Sequence, residues 1–388
     1  MSTVSEQLKH NRVNWCLECG KCTAICPISL ANGSYSPRRL LAEGLFYGGE
    51  DLVSDHSLWS CLTCQLCTSR CPADVKYSNY MRDVREDAYK LGKSGQPTHS
   101  GAMQAVWDIQ ASPELLPNRT EWLEPDMKVQ NKGDFVYFVG CLPFYEPLFG
   151  KDFDFSPLSI ARDTVRILNR IGIEPVVMDT ERCCGHDVYW LGQQDKFETL
   201  ARLNIEQIKA SGGKTVITAC PECALALDHL YNKHIGPTGF QVKHIAEVVA
   251  DNLDNLSFNG YQSEVTYQDP CRLGRFLGVY DQPRKVLEAI PGVTLKEMQR
   301  IKAGAICCGT TNWTHCDATS KQIQKRRLTE ARDTGADTMV TACPKCQIHF
   351  RCARCSPEGS TIDIKVTDFV NVVAQALGLP GADSRAGE

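Results

Sequence analysis

Short runs of β-branched and aromatic residues alternate with longer amphipathic segments over the C-terminal two thirds of the chain. The short runs predict strands at Phe135 to Val139, Pro175 to Met178 and Thr215 to Thr218. The amphipathic segments between them predict helices at Ser159 to Ile171 and Gln194 to Ala210. This alternation of strand and helix predicts parallel sheets that are covered by helices.

The same order of elements recurs further along the chain. Strands are predicted at Glu264 to Gln268, Val293 to Met298 and Thr338 to Thr341. Helices are predicted at Pro283 to Ala289 and Lys321 to Arg332. The C-terminal part of the chain is therefore expected to contain two similar domains.

The sequence itself confirms the repeat. At an offset of 123 residues, positions 215–223 read TVITACPEC and positions 338–346 read TMVTACPKC. Cys-Cys-Gly triplets begin at 183 and 307, and Cys141 has its counterpart at Cys271. Self-similarity of this kind indicates two homologous domains in tandem. Because ligands gather beyond the carboxyl ends of parallel strands, we expect the cysteines of each repeat to meet there.

The N-terminal part has a different character. Helices are predicted at Arg38 to Phe46 and Tyr80 to Leu91, and Gly and Pro residues interrupt any long element after Gly92. We therefore predict a front module at 1–92, a surface linker at 93–134, a first repeat at 135–258 and a second repeat at 259–388.

Composition narrows the cellular setting. A chain of 388 residues with 43% apolar content can bury two or three cores, and a net charge of −4 gives no argument for nucleic-acid binding. The N-terminus has no signal-peptide core, and no segment reaches the roughly 18 apolar residues of a membrane span. We expect a cytoplasmic protein whose 21 cysteines are reduced, with 18 of them in ordered motifs that hold metal rather than in a disulfide scaffold.

Two cysteine runs of the form Cys-x2-Cys-x2-Cys-x3-Cys-Pro occur in the front module. This is the bacterial ferredoxin pattern, in which the fourth cysteine of each run binds the cluster of the other run. Structural zinc is the alternative, but zinc sites use pairs of Cys-x2-Cys rather than runs of four. We predict two cubane [4Fe-4S] clusters, one on Cys16, Cys19, Cys22 and Cys71 and the other on Cys61, Cys64, Cys67 and Cys26.

Each repeat carries five further cysteines. The two sets are Cys141, Cys183, Cys184, Cys220 and Cys223, and Cys271, Cys307, Cys308, Cys343 and Cys346. Five thiols exceed the needs of one zinc ion, and two adjacent cysteines cannot both face one small metal. A zinc site with a spare buried cysteine and a redox dithiol at Cys-Pro-x-Cys are the alternatives. Neither explains why all five positions recur.

These motifs resemble the heterodisulfide reductase family. The Cys-Cys-Gly repeats are similar to its B subunit, and the front module resembles its C subunit. Similar fusions occur in its D subunit, in the iron-sulfur subunits of glycolate oxidase and anaerobic glycerol-3-phosphate dehydrogenase, and in electron-transfer subunits of benzoyl-CoA reductase complexes. The resemblance rests on the cysteine motifs and on Ser36 to Arg39, Leu58 to Cys67, Arg70 to Pro72 and Arg119 to Trp122.

The resemblance implies an α+β multi-domain fold: a small helical ferredoxin-like domain with two [4Fe-4S] clusters, followed by two homologous α/β domains with short parallel sheets. It also implies a noncubane [4Fe-4S] cluster on each five-cysteine set, so those ten cysteines become the predicted catalytic residues. In total, two cubane and two noncubane clusters are expected.

The function implied is that of an iron-sulfur oxidoreductase subunit. Electrons are expected to enter at the cubane clusters, pass to the noncubane clusters and reduce a disulfide there. A pure electron-transfer component of a flavin-containing or quinone-linked complex is the alternative, and a structural zinc protein is a third. The expected partners are other subunits of a redox complex, among them a flavoprotein, with membrane association only through a partner and no nucleic acid.

Several other residues attract attention without belonging to a motif. His186 is expected to be a loop histidine bonded to backbone, with proton donation to a thiolate as the alternative. Arg272 and Arg275 are expected to pair with acidic residues, and an anionic substrate is the alternative. Residues 145–155, an insertion in the first repeat, are expected to reshape or cover a substrate opening. Cys316, Cys352 and Cys355 fall outside the sets, and the last two are expected to pack or to cover the cluster.

Overall fold

Two four-stranded parallel sheets form the centres of the two repeats in the computed structural model, which describes residues 4–47, 51–356 and 361–380. The first sheet has the order β2-β1-β3-β4 and the second has the order β6-β5-β7-β8. The strands are β1 Phe135–Tyr137, β2 Val176–Val177, β3 Thr215–Thr218, β4 Gln241–His244, β5 Ser263–Gln268, β6 Val293–Leu295, β7 Thr338–Thr341 and β8 Lys365–Asp368.

The two sheets have corresponding registers. Val136 pairs with Val216 in the first sheet, and Thr266 pairs with Met339 in the second. The inner strands β1, β3, β5 and β7 are rich in buried Val, Ile and Met because helices cover both faces of a parallel sheet. Each sheet has two edge strands, and two of these four, β4 and β8, read QVKH and KVTD with their first residues exposed. Sequence reasoning missed both of these strands.

Helices pack around the sheets and form most of the front module. They are α1 Val4–His10, α2 Lys21–Ile25, α3 Pro27–Ala31, α4 Pro37–Tyr47, α5 Ser57–Ser60, α6 Tyr77–Lys90, α7 Ala102–Gln110, α8 Leu142–Tyr145, α9 Pro157–Arg170, α10 His186–Trp190, α11 Gln194–Ala210, α12 Pro221–Leu225, α13 Tyr231–His234, α14 Ile245–Asp251, α15 Asp281–Ala289, α16 Ala318–Arg332, α17 Pro344–Arg354 and α18 Phe369–Ala376. Wider, π-type turns follow three of the cysteine loops, at Glu146–Gly150, Ala226–Leu230 and Arg272–Phe276.

The predicted fold class is confirmed, with one correction to the segment 93–134. That segment was expected to be an irregular surface linker, but it contains α7, whose Met103 and Trp107 are buried. Trp122 is also buried, and its Nε1 donates to the carbonyl of Arg119 at 2.7 Å. Apolar side chains hold this segment against the rest of the molecule, whereas the Gly and Pro residues that marked it as irregular only limit its helix to nine residues. The bounds of the domains stay predictions.

The front module and the first repeat are joined by a buried guanidinium. Arg85 on α6 donates to the carbonyls of Leu58 at 2.8 Å and Cys61 at 2.7 Å, and also to that of Trp190 at 3.1 Å. Gly192 lies so close to α6 that a Cβ there would stand 2.3 Å from the amide nitrogen of Glu86. Backbone of one module therefore packs directly on backbone of the other.

No helix in the described part of the chain combines the length and the hydropathy that a membrane span requires.

Candidate metal centres

Five thiols converge beyond the carboxyl ends of the strands in each repeat. In the first repeat they contact one another in the order Cys141, Cys183, Cys184, Cys223, Cys220. In the second repeat the order is Cys271, Cys307, Cys308, Cys346, Cys343, which is the corresponding order. The predicted sets are thus brought together, and the equivalence of the two sites extends from sequence to side-chain contacts.

Neighbouring thiols shift one another's pKa because they share hydrogen bonds. Hydrogen bonds from Cys183 and Cys223 lower the pKa of Cys184. Hydrogen bonds from Cys307 and Cys346 lower the pKa of Cys308 well below its ordinary value. The surroundings of the central thiol in each row therefore favour the thiolate, the form that binds metal, and so do those of Cys271 in the second row.

Tight backbone turns bring the loops to the sulfur atoms. Gly140, just before Cys141, has φ of +69°, and a Cβ there would lie 2.9 Å from Cys223 Sγ. The amide of Gly185 donates to Cys183 Sγ at 3.4 Å, and the amide of Cys346 donates to Cys343 Sγ at 3.4 Å. Such amide donors stabilise negative charge on sulfur.

Side chains of the segment 93–134 form hydrogen bonds with the loops that carry the cysteines of the first repeat. Gln110 at the end of α7 accepts the amide N–H of Cys183 at 2.5 Å. Arg119 donates to the carbonyls of Gly140 and of Glu181, and the Glu181 carboxylate accepts the Gly140 amide at 2.8 Å. These buried contacts fix two of the three loops that carry the cysteines of the first repeat, so the family resemblance at Arg119 to Trp122 has a physical basis.

The eight front cysteines line two adjoining cavities. Cys26 lines one of them with Cys61, Cys64 and Cys67, away from the rest of its own run. The other is lined by Cys16, Cys19, Cys22 and Cys71, with Cys67 at the boundary between the two. The amides of Thr63 and Val75 donate to the sulfurs of Cys61 and Cys71, each at 3.4 Å. This placement is what the interleaved pattern predicts.

The front module meets the second repeat at a direct contact between thiols. Cys307 hydrogen-bonds to Cys64, which lowers the pKa of Cys64 to about 5, and nearby Arg275 and Arg272 act in the same direction. Arg272 donates to the hydroxyl of Thr63 at 2.7 Å, and Arg275 Nε donates to the carbonyl of Cys64 at 2.5 Å. The expectation that these arginines pair with acids is wrong: they bond the loop that carries Cys64.

A buried ionic cluster lies between the two repeats. Lys345 Nζ stands 2.6 Å from Glu222 Oε2 and 2.6 Å from Asp187 Oδ1, and all three side chains are almost fully buried. His186 Nδ1 lies 3.1 Å from Asp187 Oδ1 and 3.6 Å from Glu222 Oε2. The ammonium balances the carboxylates, which could otherwise form a cation site with His186.

His186 differs from its prediction. It begins α10 rather than lying in a loop, and its Nδ1 faces carboxylates rather than backbone. Its counterpart region in the second repeat is not helical: Asn312, Trp313 and His315 have φ of 53°, 52° and 51°. Side chains with a Cβ adopt this region at a cost, so tertiary contacts must hold this loop in place.

Those contacts come from the linker and from the insertion. The Trp313 carbonyl accepts the Thr98 amide at 2.9 Å, and the Trp313 ring stacks on Phe149 at 4.8 Å between centroids with 2° between planes. Arg351 donates to the Asp154 carbonyl at 2.8 Å. The insertion of the first repeat therefore packs on the second repeat. Its effect on a substrate opening stays a prediction.

Comparisons with known proteins agree with this architecture. Family models for the cysteine-rich domain match residues 135–228 and 265–351, and a model for the 4Fe-4S dicluster domain matches residues 12–75. The chain is 30% identical over 397 aligned residues to the D subunit of the dihydromethanophenazine:CoB–CoM heterodisulfide reductase of Methanosarcina acetivorans, covering 94% of each chain. The chain belongs to the family of heterodisulfide reductase D subunits. It is an iron-sulfur oxidoreductase subunit of the heterodisulfide reductase type.

Other similarities extend the family. The chain is 26% identical over 377 residues to the B subunit of the fumarate reductase (CoM/CoB) of Methanothermobacter marburgensis, covering 94% of this chain and 72% of that one. Among solved structures, a hypothetical protein from Helicobacter pylori superposes with a TM-score of 0.62 and 10% identity over 100% of this chain and 79% of that one. At that identity the match shows the fold alone.

The donor set fits the clusters that this heterodisulfide reductase family implies. Each back site presents five soft thiols in mutual contact with amide donors on sulfur, whereas a tetrahedral zinc ion takes four ligands. The front sites present four thiols each, as a cubane requires. Iron-sulfur clusters are therefore the group that these residues suit.

Sequence reasoning missed residues that shape these sites without binding metal. Gln110 was assigned to an irregular segment, and Lys345 and Glu222 were seen only as the variable position of Cys-Pro-x-Cys. The opposite charges at that position in the two repeats were the one available signal.

Proposed function

We propose that this heterodisulfide reductase family member accepts electrons at its front module and reduces a disulfide at the paired sites of its repeats. The observation that carries the proposal is the contact between Cys64 and Cys307. It joins the front site of Cys26, Cys61, Cys64 and Cys67 to the second five-cysteine site without intervening protein. Electrons delivered to the front therefore have a short path into the repeats.

The proposed ligands are the eighteen cysteines of the four sets. Two cubane clusters would use the front eight, and two noncubane clusters would use the five of each repeat. When bound, these clusters supply one-electron redox steps and iron positions that accept thiolates. The chain's own residues then determine where the clusters lie and what reaches them.

Arg272 and Arg275 hold the contact between Cys64 and Cys307, where electrons are proposed to pass into the second repeat. Arg275 reaches from the turn after Cys271 to the Cys64 carbonyl, and it also donates to the Ala305 carbonyl at 2.9 Å, close to Cys307. Arg272 is buried against the rings of Trp190 and Phe276, 4.7 and 4.5 Å from their centroids. Together the two arginines hold the front loop against the second site.

The two back sites lie close enough to act on one substrate. Burial and the neighbouring Cys220 raise the pKa of Cys343 to about 12, although Cys220 belongs to the other repeat. Glu222 and Lys345 lie beside them and join the two Cys-Pro-x-Cys loops. A disulfide needs two electrons and yields two thiolates, so a pair of adjacent sites suits its cleavage.

A relay function is the second candidate, and burial favours it. Seven of the ten back cysteines are buried, and Cys141, Cys220 and Cys271 are only partly exposed. A site that only passes electrons to another protein needs no opening for substrate. In both candidates a flavoprotein partner is the proposed donor.

A reductase assay on the cluster-loaded chain separates these candidates. The chain is reduced anaerobically with viologen, and thiols released from a panel of small disulfides are titrated. Disulfide reduction supports the first function, whereas a chain with a full iron content that is reduced yet inert toward every disulfide supports the relay. Cys307→Ser should lose iron and activity, and Cys316→Ser is the matched control because Cys316 lies outside all four sets.

A further inference from the structure

The C-terminal end of α17 carries two thiols that belong to none of the four sets. This helix begins at the second site, with Cys343 before it and Cys346 in its first turn, and it ends near Cys352 and Cys355. Cys352 is half-buried and Cys355 is exposed. Cys352 lies six residues beyond Cys346, which is about 9 Å along a helix. The pair is therefore separate from the ligands of the second site.

The two thiols have different electrostatic surroundings. Lys321 on α16 places its Nζ 3.0 Å from Cys352 Sγ. An ammonium group at this distance stabilises a thiolate, the reactive form of cysteine. Cys355 ends the helix, where the helix dipole disfavours negative charge, and its Sγ lies 4.0 Å from the Asp152 carbonyl oxygen. Cys352, whose sulfur contacts the ammonium group of Lys321, is therefore assigned as the nucleophile of the pair, and Cys355 is assigned as the residue that attacks second.

The spacing of Cys352 and Cys355 allows their sulfur atoms to form a disulfide bond. Positions i and i+3 on a helix have Cβ atoms about 5–6 Å apart, and a disulfide needs about 3.5–4.5 Å. Cys355 is the residue at which the helix ends, so a small movement of the last turn closes the gap. A disulfide formed under such strain at an exposed position is easily reduced again.

We propose that Cys352 and Cys355 form a redox-active dithiol that exchanges with small-molecule disulfides. The Cys352 thiolate attacks one sulfur of the disulfide, its S–S bond breaks, and one thiolate leaves. The Cys355 thiol then gives up its proton and attacks the Cys352 sulfur, which releases the second small thiol. Two protein thiols are oxidised by two electrons, and one disulfide is reduced to two thiols.

Peptide mapping tests this directly on the full, cluster-loaded chain. The anaerobic protein is treated with glutathione disulfide, quenched in acid, alkylated and digested with trypsin. Cleavage after Arg351, Arg354 and Lys365 yields the peptides 352–354 and 355–365, which stay linked only through the proposed disulfide. The linked pair should appear and should vanish on treatment with dithiothreitol. Its absence, or equal glutathionylation of Cys316, would overturn the proposal.

Variants test the roles of the individual residues. In Cys355→Ser, glutathione should remain attached to Cys352. If instead Cys355 in the Cys352→Ser variant is glutathionylated while Cys352 in the Cys355→Ser variant is not, the assignment of the nucleophile is overturned. Lys321→Met should slow alkylation of Cys352, because the ammonium group that contacts its sulfur is removed. Lys321→Arg keeps the charge and should retain most of the rate. An unchanged rate in Lys321→Met, at unchanged iron content, would contradict the role of Lys321.

Discussion

Glu222 and Lys345 occupy the same position in the two repeats, and their side chains meet at 2.6 Å in the protein interior. Each is the third residue of a Cys-Pro-x-Cys motif, 123 positions apart. Duplication thus placed two copies of one residue face to face, and divergence gave them opposite charges. Two glutamates or two lysines buried at this distance would repel each other.

Lys345→Met should strongly destabilise the fold. The substitution leaves the carboxylates of Glu222 and Asp187 buried without a counter-charge, which typically costs about 3–5 kcal/mol. Thermal unfolding followed by circular dichroism measures the effect. The triple variant with Glu222→Gln and Asp187→Asn should recover much of the loss. An unaltered melting temperature in the single variant would mean that this ionic cluster contributes little.

Gly140→Ala should damage the first metal site specifically. Its φ of +69° strains any residue with a Cβ by about 1–2 kcal/mol, and the added methyl group would lie 2.9 Å from Cys223 Sγ. Gly172 is the matched control, because its φ is +85° and nothing lies within 4 Å of its Cβ position. We expect both variants to lose stability but only Gly140→Ala to lose iron, and equal iron content in the two would refute this steric role.

Arg275→Met should weaken the junction between Cys64 and Cys307. The variant loses the hydrogen bonds to the carbonyls of Cys64 and Ala305, so the front loop is no longer held against the second repeat. Electron paramagnetic resonance of the reduced, cluster-loaded chain should show weaker spin coupling between the clusters. Arg12→Met is the control, since Arg12 forms an exposed ion pair with Asp74. Coupling that survives unchanged in Arg275→Met would argue against this position of the loop.

Acid should destabilise the first repeat through His244. Burial lowers the pKa of His244 to about 4, from an ordinary value of 6.5, and its Nδ1 accepts the Ala246 amide at 3.2 Å. The unfolded chain binds the proton more readily, so the stabilisation is complete above pH 6.5 and is lost as the pH falls towards 4. The loss between pH 7.5 and pH 5 should be roughly 2 kcal/mol.

His244→Asn provides the comparison for that measurement. Asparagine can also accept an amide hydrogen bond at a helix N-terminus but does not titrate. Unfolding of both proteins at pH 7.5 and pH 5 should show a smaller acid sensitivity for the variant. The same sensitivity in both would assign the acid effect to other groups.

The sequence predicted six of the eight described strands and missed β4 and β8, each at one edge of its sheet. The segment 215–218 and its counterpart 338–341 are rich in β-branched residues and mostly buried, because helices cover both of their faces. Strands β4 and β8 are short and carry exposed polar residues. They lead directly into helices that begin after His244 and Asp368. Only the hydrogen bonds to β3 and β7 make them strands.

For the metal sites, too, some features could be predicted from the sequence and others could not. Spacing in the chain was enough to group the cysteines, since each back set lies in loops at one edge of one sheet and the front sets follow the ferredoxin pattern. The roles of Gln110, Arg119 and Arg275 were out of reach, because each acts on a loop more than 20 residues away in the chain. Such contacts follow from how modules pack, which no local pattern records.

Arg85 shows what this packing means for the history of the chain. Its guanidinium bonds only to carbonyl groups of the backbone at Leu58, Trp59, Cys61 and Trp190 among the described residues. Every amino acid offers such a carbonyl, so these hydrogen bonds depend on the identity of the arginine but not on the side chains of the residues that accept them. A fused protein built in this way tolerates drift in its parts but not their exchange, because what the modules recognise in each other is the path of the main chain.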